Sequence, residues 1–222
     1  MSLDLDTNVT LRGEQELVRR AGHLFAAAAE QFVCAAADRK TWALEGARTQ
    51  IAAARRHASP DLEVCKLYNP QALADEESER ELITLAKIGA QIRICLAPLP
   101  QETIIIDRRI AVLAGPPVAG VREYTVVRSP GVIKSVESLF WSTWDSATPF
   151  ADYRRTRPPS LSPESREILT LLAEGLKDEA AARKLGMSLR TYRRRVAEIL
   201  TLLDAGSRFQ AGLRAHELGL IK

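Results

Sequence analysis

The chain has 222 residues and a mass of 24.5 kDa, enough for one large domain or two modest ones. At 46% hydrophobic and 27% charged residues it has the make-up of a soluble globular protein, which excludes wholesale disorder. Net charge is +3, but Arg154 to Lys222 holds 14 Lys and Arg against 8 Asp and Glu, a net +6 that leaves −3 for the rest. A basic C-terminal third on a mildly acidic body points to nucleic acid. No run of about 18 apolar residues exists to span a membrane. The acidic start Met1-Ser2-Leu3-Asp4-Leu5-Asp6 lacks the basic character of a secretory signal. Cys34, Cys65 and Cys95 make neither a disulfide framework nor a metal-ligand spacing. A cytoplasmic protein without metal or cofactor is expected.

In chain order, Leu11 to about Glu30 predicts a helix with Leu11, Val18, Ala21, Phe25 and Ala28 at near-heptad spacing. Leu17 and Leu24 flank that seam, so the stripe exceeds what one small sheet can cover, and two such helices are expected to pair, the alternative being that the helix packs on its own sheet. Phe32-Val33-Cys34 either continues the helix or forms a short buried strand. Leu44 to His57 predicts a second helix on Ala47, Ile51 and Ala54. From Asp61 strands and helices alternate: Leu62–Leu67 as strand, Glu76–Ile88 as a helix stopped by Gly89, and Gln91–Leu96 as strand. Thr103–Ile106 and Ile110–Ala114 flank the turn Asp107-Arg108-Arg109, and Glu123–Arg128 adds a strand. Pro130 to Trp144 reads as a helix with Ile133, Val136, Phe140 and Trp144 on one face. Residues 1–147 are thus expected to form an α/β domain, a helix-flanked mixed sheet preceded by a long helix. Residues 148–160, containing Arg154-Arg155-Thr156-Arg157-Pro158-Pro159-Ser160, read as a solvated linker, with contact of the arginine run to a neighbouring phosphate as the alternative.

Residues 161–222 predict an all-α module of four short helices. Ser162 before Pro163 opens the first, with Ile168, Leu169 and Leu172 inward, and Gly175 stops it. Asp178 caps the second, which carries Ala181, Ala182 and Leu185. Ser188 caps the third, whose inner face is Tyr192, Val196, Ile199, Leu200 and Leu203. Ser207 with Gln210 is a capping box for the fourth, which ends near Gly219. Only Gly186-Met187 separates the second helix from the Ser188 cap, the spacing of a helix-turn-helix. Opposite the apolar stripe of the third helix lie Arg190, Thr191, Arg193, Arg194, Arg195 and Ala197. The N-terminal half of such a helix enters the major groove, where arginine bonds guanine in a paired manner. The plain alternative is a solvated charged face, but three successive arginines repel one another without an anion nearby, and no acid interleaves until Glu198.

About 60 residues carry a collinear resemblance. Leu161-Ser-Pro-Glu-Ser-Arg-Glu-Ile-Leu169, Leu172-Ala-Glu-Gly-Leu176, Ala182-Arg-Lys-Leu-Gly-Met-Ser-Leu-Arg-Thr191 and Ser207-Arg-Phe-Gln-Ala211 resemble the LuxR-type (GerE-type) helix-turn-helix. The resemblance implies base reading by Arg193 and Arg194 with Ala197 one turn on. It places Thr191, Arg195 and Arg208 nearer phosphates or the helix–helix frame, and Arg190 is expected on phosphates too, with Ser188 in the same DNA-binding set. The family usually has glutamate at Ser165 and Ala180, valine at Tyr192 and lysine at Leu202, which puts the individual contacts, and any consensus operator, in question. Arginine at Arg193 in place of lysine favours guanine, because the guanidinium reaches both acceptors at once.

The α/β part offers no phosphorylated receiver site, since Asp4 and Asp6 precede the first helix and no strand ends in an acidic pair. Ala97 to Gly115 instead resembles the strand-turn-strand of phospholipase D-like domains. Of the histidine, lysine and aspartate that act in catalytic members, only Asp107 is present, with Pro100 and Glu102 at the other two positions. Phosphoryl transfer then has neither nucleophile nor phosphate anchor. His23, His57 and His216 have no nucleophile within reach along the chain, and the cysteines read as buried structural thiols. Phe140, Trp141, Trp144 and Phe150 read as core, with an aromatic effector pocket as the alternative.

The expectation is a non-enzymatic, sequence-specific transcription regulator that binds double-stranded DNA as a homodimer. Its α/β domain would dimerise it or sense a small-molecule or protein effector. The competing class is a DNA-targeted phosphodiesterase or nuclease of phospholipase D-like type.

Overall fold

The computed structural model describes residues 8–38, 41–42 and 62–221. The helix expected over Leu44–His57, with His57 itself, and the acidic pair Asp4 and Asp6 lie outside the described residues. The chain divides into two compact units: residues 1–72 with 88–149, and residues 73–87 with 150–222.

The first unit is built on a mixed eight-stranded sheet in the order β1-β7-β6-β5-β2-β3-β4-β8. Its elements begin with β1 (Val9–Arg12), α1 (Gly13–Ala26), β2 (Gln31–Ala36) and β3 (Glu63–Tyr68). After α2 (Glu76–Lys87) the chain returns for β4 (Gln91–Ile94), β5 (Glu102–Ile106), β6 (Ile110–Val118) and β7 (Val121–Val127). It closes with α3 (Pro130–Ser146) and β8 (Thr148–Pro149). β3 pairs parallel with β2 and β4, and the other pairings are antiparallel. Period-two alternation gives the sheet two buried faces. Ile104 and Ile106 join Leu17, Ala21, Leu24 and Phe25 of α1, whereas Ile105 joins Ile133, Phe140 and Trp144 of α3.

Two expectations are corrected here. The long leading helix is shorter than its periodicity implied: Val9–Arg12 is an edge strand antiparallel to β7, and the helix starts only at Gly13, whose φ of +78° breaks the strand. The apolar stripe is also consumed within the unit. Leu11, Leu17, Ala21, Leu24 and Phe25 are all buried, with Val18 packed against the same core, so this face is not open to a second copy. Phe32-Val33-Cys34 resolves as strand, lying within β2.

The second unit contains α2, α4 (Phe150–Arg155), α5 (Pro163–Ala173), α6 (Asp178–Lys184), α7 (Leu189–Leu202) and α8 (Arg208–Glu217). Its core is Ile168, Leu169 and Leu171 of α5, Ala181 and Ala182 of α6, Tyr192, Val196, Ile199 and Leu202 of α7, and Ala211 and Ala215 of α8. Buried positions differ slightly from expectation, with Leu171 and Leu202 replacing Leu172 and Leu200, which are half-buried. The stretch expected as a linker carries β8, α4 and a run to Ser160 that is held down by side-chain bonds, described below.

Among the described residues no helix is long and apolar enough to cross a membrane. No group of three or more His, Cys, Asp and Glu among them could hold a metal ion.

Candidate nucleic-acid interface

α6 and α7 meet at a turn made possible by Gly186, whose φ of +65° lets the chain reverse at the end of α6. The Ser188 hydroxyl then accepts the Thr191 N–H at 3.1 Å, opening α7 as expected. Ser162 caps α5 and Ser207 caps α8 in the same way. Asp178 is not a cap. It is the first residue of α6 behind Lys177, and its carboxylate is a clamp that Arg208 reaches at 2.7 Å and Arg193 at 3.0 Å. Those arginine bonds, working against partial burial, hold the Asp178 carboxyl below its usual range, and they push the Arg208 guanidinium up.

α7 buries Tyr192, Val196, Ile199 and Leu202 and turns Arg190, Arg193, Arg194 and Ala197 outward, all exposed, with Ser188 exposed before them. Arg193 and Arg194 keep 59% and 60% of their side-chain surface. Thr191 and Arg195 are half-buried at the margin. Arg195 is held between Glu164 of α5 at 2.8 Å and Glu198 of its own helix at 3.1 Å, and Glu198 also receives Arg194 at 2.6 Å. The structure therefore brings the expected residues together on one side of α7, with Arg195 and Arg208 tied into the helix frame. The acids among them, Asp178, Glu164 and Glu198, separate cations that would otherwise repel one another. Arg193 and Arg194 keep their guanidiniums in solvent, where screening weakens a pair and an incoming anion competes with the carboxylate.

Three acidic or basic residues of α2 escaped sequence reasoning. Glu76 accepts the Ser162 N–H at 2.7 Å and the Ser165 hydroxyl at 2.9 Å. Burial raises the Glu76 pKa, but the Ser162 and Ser165 bonds outweigh it and the carboxyl is held below its usual range. Glu79, 1% exposed, takes Arg154 Nε at 3.2 Å, Arg157 Nη2 at 2.8 Å and the Ser160 N–H at 3.2 Å. Arg80 pairs with Glu198. Nothing in α2's own sequence marks these contacts; acids in a first helical turn read as dipole-favoured solvent groups.

In the sheet unit the residues at the phospholipase-like positions are bound into the fold. Glu102 accepts the Ala37 N–H at 2.8 Å and the Thr41 hydroxyl at 2.7 Å, and pairs with Arg122. Asp107 and Arg108 have φ of 49° and 54°, the paired positive values of a tight hairpin turn between β5 and β6. The Asp107 carboxylate accepts backbone N–H groups of Ala29, Glu30 and Gln31 at 2.8 to 3.2 Å. Burial raises its pKa, yet those three amides prevail and lower it. Cys34, Cys65 and Cys95 are buried, and burial with the nearby Glu63 pushes Cys65 up to about 12, away from thiolate chemistry.

No family model matches the chain. Over 138 residues it is 36% identical to the bialaphos biosynthetic pathway regulatory protein of Streptomyces hygroscopicus, an alignment covering 62% of this chain and 53% of that protein. The chain thus spans about half the length of the relative it matches. In fold it is similar to TrmBL2, an archaeal chromatin protein described as showing a novel mode of DNA binding. That likeness has a TM-score of 0.51 at 16% identity, over 67% of this chain and 56% of TrmBL2. It is similar also to Nuc from Salmonella typhimurium, a phospholipase D family member, with a TM-score of 0.50 at 13% identity, over 65% of this chain and 99% of Nuc. At these identities the likeness is one of fold, and it agrees with the phospholipase D-like architecture expected for the α/β part.

Proposed function

We propose that this chain is a sequence-specific regulator of transcription that binds duplex DNA through a LuxR-type helix-turn-helix at residues 161–222. The observation that carries the reading is the outward face of α7, where Arg190, Arg193, Arg194 and Ala197 stand exposed behind the Ser188 cap and the Gly186 turn. Arg193 and Arg194 read bases, and Ser188, Arg190, Thr191, Arg195 and Arg208 hold phosphates or the helices that present them. The regulatory role named for the Streptomyces relative and the DNA binding named for TrmBL2 point the same way.

The sheet unit acts without catalysis in this reading, as a platform for dimerisation or for an effector. Pro100 and Glu102 stand where the catalytic phospholipase D-like members have their histidine and lysine, so the nucleophile and phosphate anchor of that mechanism are missing, which disfavours the nuclease reading. A homodimer would place two α7 helices on a two-fold site. With the α1 stripe buried, Phe209 and Leu213, exposed four residues apart on α8, supply an apolar surface for a second copy.

Selection of duplexes from a randomised pool by the full chain tests the reading. A shared motif is expected, and Arg194→Ala should cost about 1–3 kcal/mol on that motif and relax preference at one base pair. Equal weakening on every sequence would make Arg194 a phosphate contact, and recovery of an unenriched pool would refute sequence-specific binding.

A further inference from the structure

Within the helical unit, α4, the 156–160 run and the ends of α7 and α8 surround a cavity of about 120 Å³, roughly ten times what one water needs. Arg154, Arg155, Arg157 and Arg214 line it against two carboxylates, Glu79 and Asp204, and the remaining wall is apolar. We propose that this cavity is a binding site for a small oxyanion, either inorganic phosphate or the phosphate or carboxylate group of a small molecule.

The donors outnumber the acceptors present. Each guanidinium carries five N–H groups, and the Glu79 carboxylate is already spent on Arg154, Arg157 and the Ser160 amide. Arg154 also donates to the Leu202 carbonyl at 2.7 Å, and Arg157 to the Pro158 carbonyl at 3.1 Å. After these bonds Arg157 Nε is buried with no acceptor, the kind of unsatisfied donor that folded proteins rarely leave without a partner. Both guanidiniums are fixed in place over aromatic rings, Arg154 at 5.6 Å from the Phe150 centroid and Arg157 at 5.5 Å from that of Tyr153.

Arg155 and Arg214 are less committed. They pair with Asp152 and Glu217, each three residues away on the same helix, and Arg155 keeps 70% of its side-chain surface. Such pairs are weak enough to yield to a ligand. An oxyanion accepts from several guanidiniums at once and in paired geometry, which a single water does not. Because Arg154 holds the last turn of α7, occupancy of the cavity shares an arginine with the helix assigned to DNA; the anion site itself does not depend on that assignment.

Isothermal titration calorimetry of the full chain, at constant ionic strength with chloride as the balancing salt, tests this with inorganic phosphate and with succinate as separate probes. Saturable binding of one of them is expected, and its identity assigns the phosphate or carboxylate class. The double variant Arg155→Ala/Arg214→Ala, which leaves the Glu79 pairs intact, should weaken that binding at least tenfold, whereas Arg194→Ala should leave it unchanged. Should the double variant lose its cooperative melt, Arg155→Ala alone carries the test, with a several-fold loss expected. No saturable heat with either probe overturns the proposal. So does loss in Arg194→Ala with retention in the double variant, which would put the anion on the exposed face of α7 and leave the DNA assignment standing.

Discussion

In the sheet unit, the carboxylates of Glu102 and Asp107 are satisfied by amides and hydroxyls brought from strand ends more than sixty residues away in sequence. In the helical unit, Arg193 and Arg194 are held by carboxylates on the next helix or their own, and both remain more than half exposed. The first arrangement spends charge on closing a fold, since each half-buried carboxylate is shared among several donors from distant parts of the chain. The second leaves charge at the surface in pairs that exchange readily. One unit commits its carboxylates to bonds that close the fold, while the other keeps a row of cations at its surface.

The sharpest way to break this contrast is at Glu79, an acid of the helical unit that is 1% exposed and shared by two arginines. Glu79→Ala should cost about 3–5 kcal/mol in denaturant unfolding, because it strands Arg154 and Arg157 without their shared acceptor. A loss under about 1 kcal/mol would mean that the two arginines are as loosely held as those of α7. Ser188→Ala should cost about 1 kcal/mol, mostly in the first turn of α7. Hydrogen exchange should show faster exchange at the Thr191 amide with the sheet unit unchanged.

Acid should act on both units, most gradually of these tests. Glu76, Asp107 and Asp178 all have folded-state pKa values below the ordinary carboxylate range. Their stabilisation is therefore fully present above that range and is lost as pH falls through it, from about pH 5 downward. Thermal melts between pH 7 and pH 3 should show the drop, and Glu76→Gln should flatten part of it. An acid limb that Glu76→Gln leaves unaltered would remove Glu76 from the account.

Much of the helical unit was legible because its signals are local. Ser162, Ser188 and Ser207 sit directly before the helices they cap, and Gly186 marks its own turn. The hairpin of Thr103–Ile106 and Ile110–Ala114 around Asp107 was readable for the same reason. What escaped was non-local. Val9–Arg12 is four residues long and becomes a strand only by pairing with β7, more than a hundred residues on. The period of α1 looked ready for a second copy because a sequence cannot state how much of its own sheet will cover it. Amphipathic spacing in α2 says that it packs on something, but not that it packs with α4 to α8 rather than with the strands on either side of it in sequence. Likewise Arg154 and Arg157 read as solvated linker because Glu79 lies some seventy-five residues earlier.

The most direct measurement is a nuclease footprint of the full chain on the DNA upstream of its own coding region and on neighbouring promoters, at two salt concentrations. Protection of a two-fold symmetric site is expected, with half-sites about one helical turn or a multiple of it apart and affinity falling steeply with salt. Uniform coverage without a preferred site, or no protection of any promoter in low salt, would contradict it.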